Sequence, residues 1–166
     1  AHLLPLTNDA DAAVRAAAVK TLYPYDASRA GNVLRAMLGS KKVAERGAAM
    51  AIMGDVQDPQ AMEEFLVAVN TEQDKTILAG GLGALDKIAD PRLKKGIHRL
   101  LGHPNPNVKI KAVRAYGRIA GTAGIKDLDR LYDEVESEIV RSAILSTLGE
   151  MCEAGNISYL TRRLKE

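Results

Sequence analysis

The sequence contains no tryptophan, one phenylalanine (Phe65) and one cysteine (Cys152). A single cysteine excludes an internal disulfide framework, and no Cys/His spacing of a metal site is present, so neither metal nor cofactor is expected. A reducing compartment fits, and the chain is read as cytoplasmic. No apolar run approaches the roughly 20 residues needed to span a bilayer, and no secretory leader is visible. Scarce aromatics beside abundant Ala, Leu and Gly suit thin layers of closely approaching helices better than one thick core. The chain opens on Ala1, and Leu3, Leu4 and Leu6 resemble the tail of a preceding helix, so it reads as a piece of a longer protein.

What is present is a repeat. Arg15, Arg46, Leu78, Lys109 and Arg141 stand 31 or 32 residues apart. Seven residues after each comes a large side chain: Leu22, Met53, Leu85, Tyr116 and Leu148. Two further columns hold the same spacing, Leu34, Phe65, Ile97, Leu128, Leu160 and then Leu38, Val69, Leu101, Tyr132, Leu164. Such self-similarity marks a stacked array in which each unit buries its apolar face only against its neighbours. The whole chain, 1–166, reads as one array with copies at about 9–39, 40–70, 71–102, 103–134 and 135–166.

Each copy carries two helical stripes. The first is Val14, Ala18, Leu22, Tyr25 in copy one, Val108, Ala112, Tyr116, Ile119 in copy four and Val140, Ile144, Leu148, Met151 in copy five. Asp11, Asp74, Asn105 and Ser137 precede it as N-caps, with Ser40 replacing Lys42 in copy two. The second helix starts at Asp58-Pro59 and Asp90-Pro91, a cap followed by proline at the first helical position. Gly39 and Gly102 stand where a left-handed helix terminus belongs. β-Branched residues never alternate in runs, and no strand is expected.

The unit Asp9-Ala10-Asp11-Ala12-Ala13-Val14-Arg15 with Ala18 and Leu22, echoed by Val140-Arg141, Leu148 and Gly149, resembles the HEAT repeat, in particular the short HEAT-like type of phycobilin lyase subunits. The resemblance covers the chain, matches best in copies one and five, and is weakest in copy three. It implies an all-α fold, a right-handed α-solenoid of about five two-helix HEAT-like repeats, of bacterial type, with the Val-Arg helices lining the concave face. Standing in one column, Arg15, Arg46 and Arg141, with Lys109, read as a structural ladder that pairs with turn carboxylates of adjacent units, in preference to direct ligand contacts. The tetratricopeptide and ankyrin signatures are missing.

No catalytic constellation stands out, and the chain is not read as an enzyme. His2, His98 and His103 are scattered and are expected to be exposed or capping. HEAT-like deoxyhypusine hydroxylases carry His-Glu pairs for iron, and this sequence has none. Asp127, Asp129 and Asp133 imitate a calcium loop without its turn glycine, and Leu128, Leu131 and Tyr132 make the segment a helix with an acidic face. Gly121-Thr-Ala-Gly124 is too short for a phosphate loop and reads as an inter-helix turn. Gly80, Gly81 and Gly83 either weaken one helix, the preferred reading, or admit a close partner backbone, with Gly81 in the small column of Ala18, Ala49 and Ala112 where helices touch.

Charge is segregated. From Pro91 to Arg118 stand Arg92, Lys94, Lys95, Arg99, Lys109, Lys111, Arg114 and Arg118 with no Asp or Glu, and an acidic belt from Asp127 to Glu138 follows. Lys95, Arg99, Lys109, Lys111, Arg114 and Arg118 are therefore the candidate partner-binding residues. A protein-interaction scaffold comes first, with a protein or a neighbouring domain as partner. A nucleic-acid or phosphate-binding module through 91–118 is the alternative, weakened by the missing stacking aromatics. A chromophore-lyase-like subunit comes third, on resemblance alone.

Overall fold

Short polar residues decide where the helices begin. In a computed structural model of the chain, which describes residues 3–56, 58–88 and 90–151, Asp11 accepts from the Ala13 and Val14 amides at 2.7 and 3.4 Å, and α1 runs Ala12–Leu22. Asp26 accepts from Arg29 and opens α2, Ala27–Leu38. Helix α3 is Val43–Val56; Ser40 sits further upstream than a cap and accepts from Lys42. Asp58 accepts from Gln60 and Ala61, each at 2.8 Å, and Pro59 begins α4, Pro59–Thr71. Asp74 accepts from Ile77 at the head of α5, Lys75–Lys87.

Asp90 caps a 3-10 turn, Pro91–Leu93, rather than the helix itself, and α6, Lys94–Leu100, follows. Asn105 accepts from Asn107, and Pro106 begins α7, Pro106–Ala120. A 3-10 turn, Gly121–Gly124, links it to α8, Ile125–Glu134, and α9 is Glu138–Met151. Among the described residues there is no strand, and no helix is long and apolar enough to cross a membrane. Leu160 and Leu164 lie outside the described residues, as does His2.

The chain divides into two compact units, Ala1–Ile88 and Ala89–Glu166, with the boundary between the two helices of the third copy. In the first unit α1, α3 and α5 lie side by side in one layer, with α2 and α4 packed beneath them as a second. In the second unit α7 and α9 are neighbours, α6 packs on α7 and α8 on α9. This two-layer α/α arrangement lets each copy bury its stripe against the next.

The repeat columns supply the cores. Leu22, Met53 and Leu85 are buried in the first unit, Tyr116 and Leu148 in the second, and Leu34, Phe65, Ile97 and Leu128 lose all exposure. Small residues stand where helices cross. A Cβ on Gly81 would meet Val69, Met50 and Phe65 at 3.3–3.5 Å, and one on Gly54 would reach Ala84 Cα at 2.9 Å.

Three sequence expectations are corrected here. The stripe of α1 is shorter than expected: Val14 is 37% and Tyr25 84% exposed, because Tyr25 lies past the end of the helix and Ala16 and Val19 face the core instead. Gly39 and Gly102 are not left-handed; their helices tighten into ordinary terminal turns, with Gly39 at φ −82° and Gly102 N–H donating to Arg99 O at 3.3 Å. Gly121, at φ +51° and ψ −149°, is the glycine that takes a positive φ, at the end of α7. Leu3, Leu4 and Leu6 do not end a helix; a 3-10 turn, Pro5–Asn8, folds against α1 with Leu6 partly exposed.

Candidate functional site

The basic segment forms two separate surfaces within the second unit. On α7, Lys111, Arg114 and Arg118 are spaced three and four residues apart and so share one stripe. Arg114 and Arg118 are exposed and Lys111 is half-buried. Lys109 does not share that stripe. Its position aligns with Val113, Tyr116 and Ala120, about half a helical turn round the axis, where α7 turns toward its neighbours. Lys95 and Arg99 are exposed on α6, which packs over the Tyr116 side of α7.

Tyr116 organises that second surface. Its ring is buried, with the His98 ring edge-on at 5.4 Å and the Lys94 ammonium 5.7 Å above it. A cation over an aromatic face is attracted by the ring quadrupole. The Tyr116 hydroxyl donates to Asp127 of α8, and burial first, then that carboxylate, pushes the phenol well above its usual pKa. A cavity of about 350 Å³ lies beside Lys94, Lys95, His98 and Tyr116. Arg92 also lines it but is held by Asp90 at 2.6 Å.

On the other side of His98, between α6 and α8, a second cavity of about 390 Å³ is lined by Arg99 and Arg130 together with Asp127 and Glu134. Its charges are of both signs, so the acidic belt meets the basic segment here rather than standing apart from it. Asp133 and Glu134 are exposed on α8. His103 is buried in the turn before α7 and accepts from the Asn105 amide through Nδ1 at 3.0 Å, a capping role.

The arginine column has a recurrent geometry. Arg15 donates to the carbonyls of Asp9 and Ala10, Arg46 to those of Ser40 and Lys41, and Arg141 to that of Val135. Each folds back on the turn five or six residues before it. Arg15 also meets Glu45 of the next copy at 2.7 Å, and Arg46 meets Glu72 at 2.8 Å. Arg141 instead reaches Glu138 of its own copy at 3.7 Å and lies over the Tyr132 ring at 5.5 Å. A guanidinium fork serves several acceptors at once; an ammonium such as that of Lys109 is a point donor and cannot copy it.

Two polar clusters of the first unit had no signal in the repeat pattern. Asp55 of α3 pairs with Lys20 of α1 at 2.7 Å and with Lys87 of α5, which holds its carboxyl down at about 2. Asp58 is buried, caps α4 and faces Arg35 of α2 at 3.7 Å, and after burial it helps push the Tyr23 phenol above its ordinary range. Both bind groups far apart in sequence, and only a charge alternation between consecutive copies could have hinted at the first.

A family model described as HEAT repeats matches the chain twice, over residues 66–149 and 93–166. No curated protein matches it. The match is to HEAT repeats at large and does not assign the phycobilin-lyase type. It takes in the weak third copy, Leu78 included, because the apolar columns persist where the arginine is lost. Together the two matches span more than half of the sequence, and they coincide with helix pairs layered as α6 to α9 are; the chain belongs to the HEAT repeat family.

Proposed function

We propose that this chain is a non-enzymatic scaffold that binds an acidic surface of a partner protein through Lys111, Arg114 and Arg118 on α7. The observation that carries the reading is this stripe of three cations on a helix that bears no carboxylate. A stripe of like charge on a packed helix steers and orients an oppositely charged partner. Lys95 and Arg99 on α6 face another direction and serve as a second contact. Arg15, Arg46 and Arg141 belong to the framework and not to the contact.

The separation of the cations into two faces supports a protein partner over a nucleic acid. A duplex rewards a continuous track of phosphate contacts, whereas Lys111, Arg114 and Arg118 make one short line. Tyr116, the aromatic within the segment, is covered by Lys94 and His98 and so is closed to base stacking.

The test compares a labelled Glu- and Leu-containing peptide with a random DNA duplex on the wild-type chain and on R114E/R118E. The peptide is expected to bind and to be lost on charge reversal, and the duplex to bind negligibly. Micromolar duplex binding that falls steeply with salt and vanishes in R114E/R118E would replace this reading with the nucleic-acid one.

A further inference from the structure

In the first unit a groove of about 700 Å³ opens between the end of α2 and the exposed side of α4. Its apolar part comes from Val67, 54% exposed at the middle of α4, together with Ala68 and Leu38. Glu64 and Glu63, three and four residues earlier, also line it and are exposed, which sets them about one helical turn from Val67.

Arg46 is the cation in the wall, and it is already bound to other acceptors. Its Nε and Nη2 donate to Glu72 at 2.8 and 3.5 Å, and its Nη1 to the Ser40 and Lys41 carbonyls at 2.9 and 3.1 Å. Four of its five N–H groups are taken, and its charge and that of Glu72 balance each other. With Arg46 and Glu72 balancing each other, the exposed Glu64 gives the groove its sign, which is acidic around an apolar floor.

We infer that this groove binds a basic, amphipathic segment of a partner protein. An apolar side chain seats against Val67, Ala68 and Leu38, and a Lys or Arg about one helical turn away reaches Glu64. Charge complementarity chooses this occupant: an acidic segment or an anionic membrane would be repelled by the same rim. The site uses neither Lys111, Arg114 nor Arg118, so it stands or falls apart from the reading above.

The test uses the full chain and a fluorescein-labelled peptide of about a dozen residues, Leu and Lys on a Gln background, long enough for three helical turns. Companion peptides replace Lys by Glu or Leu by Ser. The Leu/Lys peptide is expected to bind and both companions to fail. Val67→Ser and E63Q/E64Q should each weaken binding about fivefold or more, or about 1 kcal/mol, while D133N/E134Q on the acidic face of α8 leaves it unchanged. If Val67→Ser alters the circular dichroism spectrum, Val67→Lys takes its place, since it leaves the helix a good former while repelling the ligand. Binding untouched by both groove variants, or lowered equally by D133N/E134Q, would overturn the assignment. So would self-association of the free chain that Val67→Ser abolishes while the peptide fails to bind, because the occupant would then be a second copy.

Discussion

Arg46 donates its Nε to Glu72 at 2.8 Å and so ties α3 to the turn that leads into α5. The Arg46 hydrogen bond, ahead of other causes, holds the Glu72 carboxyl below its ordinary range. Glu72 thus stays ionised to lower pH in the folded chain than in the unfolded one. Its contribution is complete above the unfolded value of about 4.3 and is lost as pH falls through the lower folded value. Arg46→Gln should reduce the thermal midpoint at neutral pH and flatten the dependence of stability on pH below about 4. Urea titrations at a series of pH values check this; an unchanged slope in the variant would assign the acid sensitivity elsewhere.

Asp55 joins three consecutive copies by meeting Lys20 and Lys87. Its hydrogen bonds to Lys20 and then Lys87 depress its carboxyl to about 2, so this contribution too is present at neutral pH and is lost on acidification. The cluster is solvent-accessible and therefore screened. Asp55→Asn should lower the urea midpoint at low ionic strength and lose most of that effect at high salt. A salt-independent loss would mean that packing, not charge, is what the substitution disturbs.

Glycine positions in one layer should respond in opposite directions. Nothing lies within 4 Å of a Cβ built on Gly83, which is exposed in α5, so Gly83→Ala should stabilise by about 0.5–1 kcal/mol. A Cβ on Gly54 would press on the Ala84 backbone and Lys87 Cδ, each at 2.9 Å, and Gly54→Ala should cost about 1–3 kcal/mol. Denaturant unfolding of the two variants measures the contrast. A loss on Gly83→Ala would expose a constraint on α5 that its open surroundings do not show.

Tyr116 fills a core position and spends its hydroxyl on Asp127. Tyr116→Phe keeps the ring, the edge contact with His98 and the seat for Lys94, and removes only the donor. Asp127 is half-buried and can partly rehydrate, so the expected loss is about 1.5 kcal/mol, at the low end for a bond to a charged group. Tyr116→Ala should cost about 3–5 kcal/mol through the cavity it leaves. Equal losses in the two variants would show that the hydroxyl, and not the ring, anchors α7 to α8.

The spacing of apolar columns was enough to place Leu22, Met53, Leu85, Tyr116 and Leu148 in cores, and the caps Asp11, Asp58 and Asn105 at helix starts. Those features are local: a helix period and a side-chain oxygen a few residues from its amides act within one turn, so they can be read along the chain. The partnership of Asp55 with Lys20, 35 residues earlier, and with Lys87, 32 later, is not local. Nor is the division of Lys95, Arg99, Lys109, Lys111, Arg114 and Arg118 among different faces, although they read as one basic run. Tertiary structure decided these because the way neighbouring helices cross, and not the order of residues, determines which flank of a helix meets solvent and which charges meet each other.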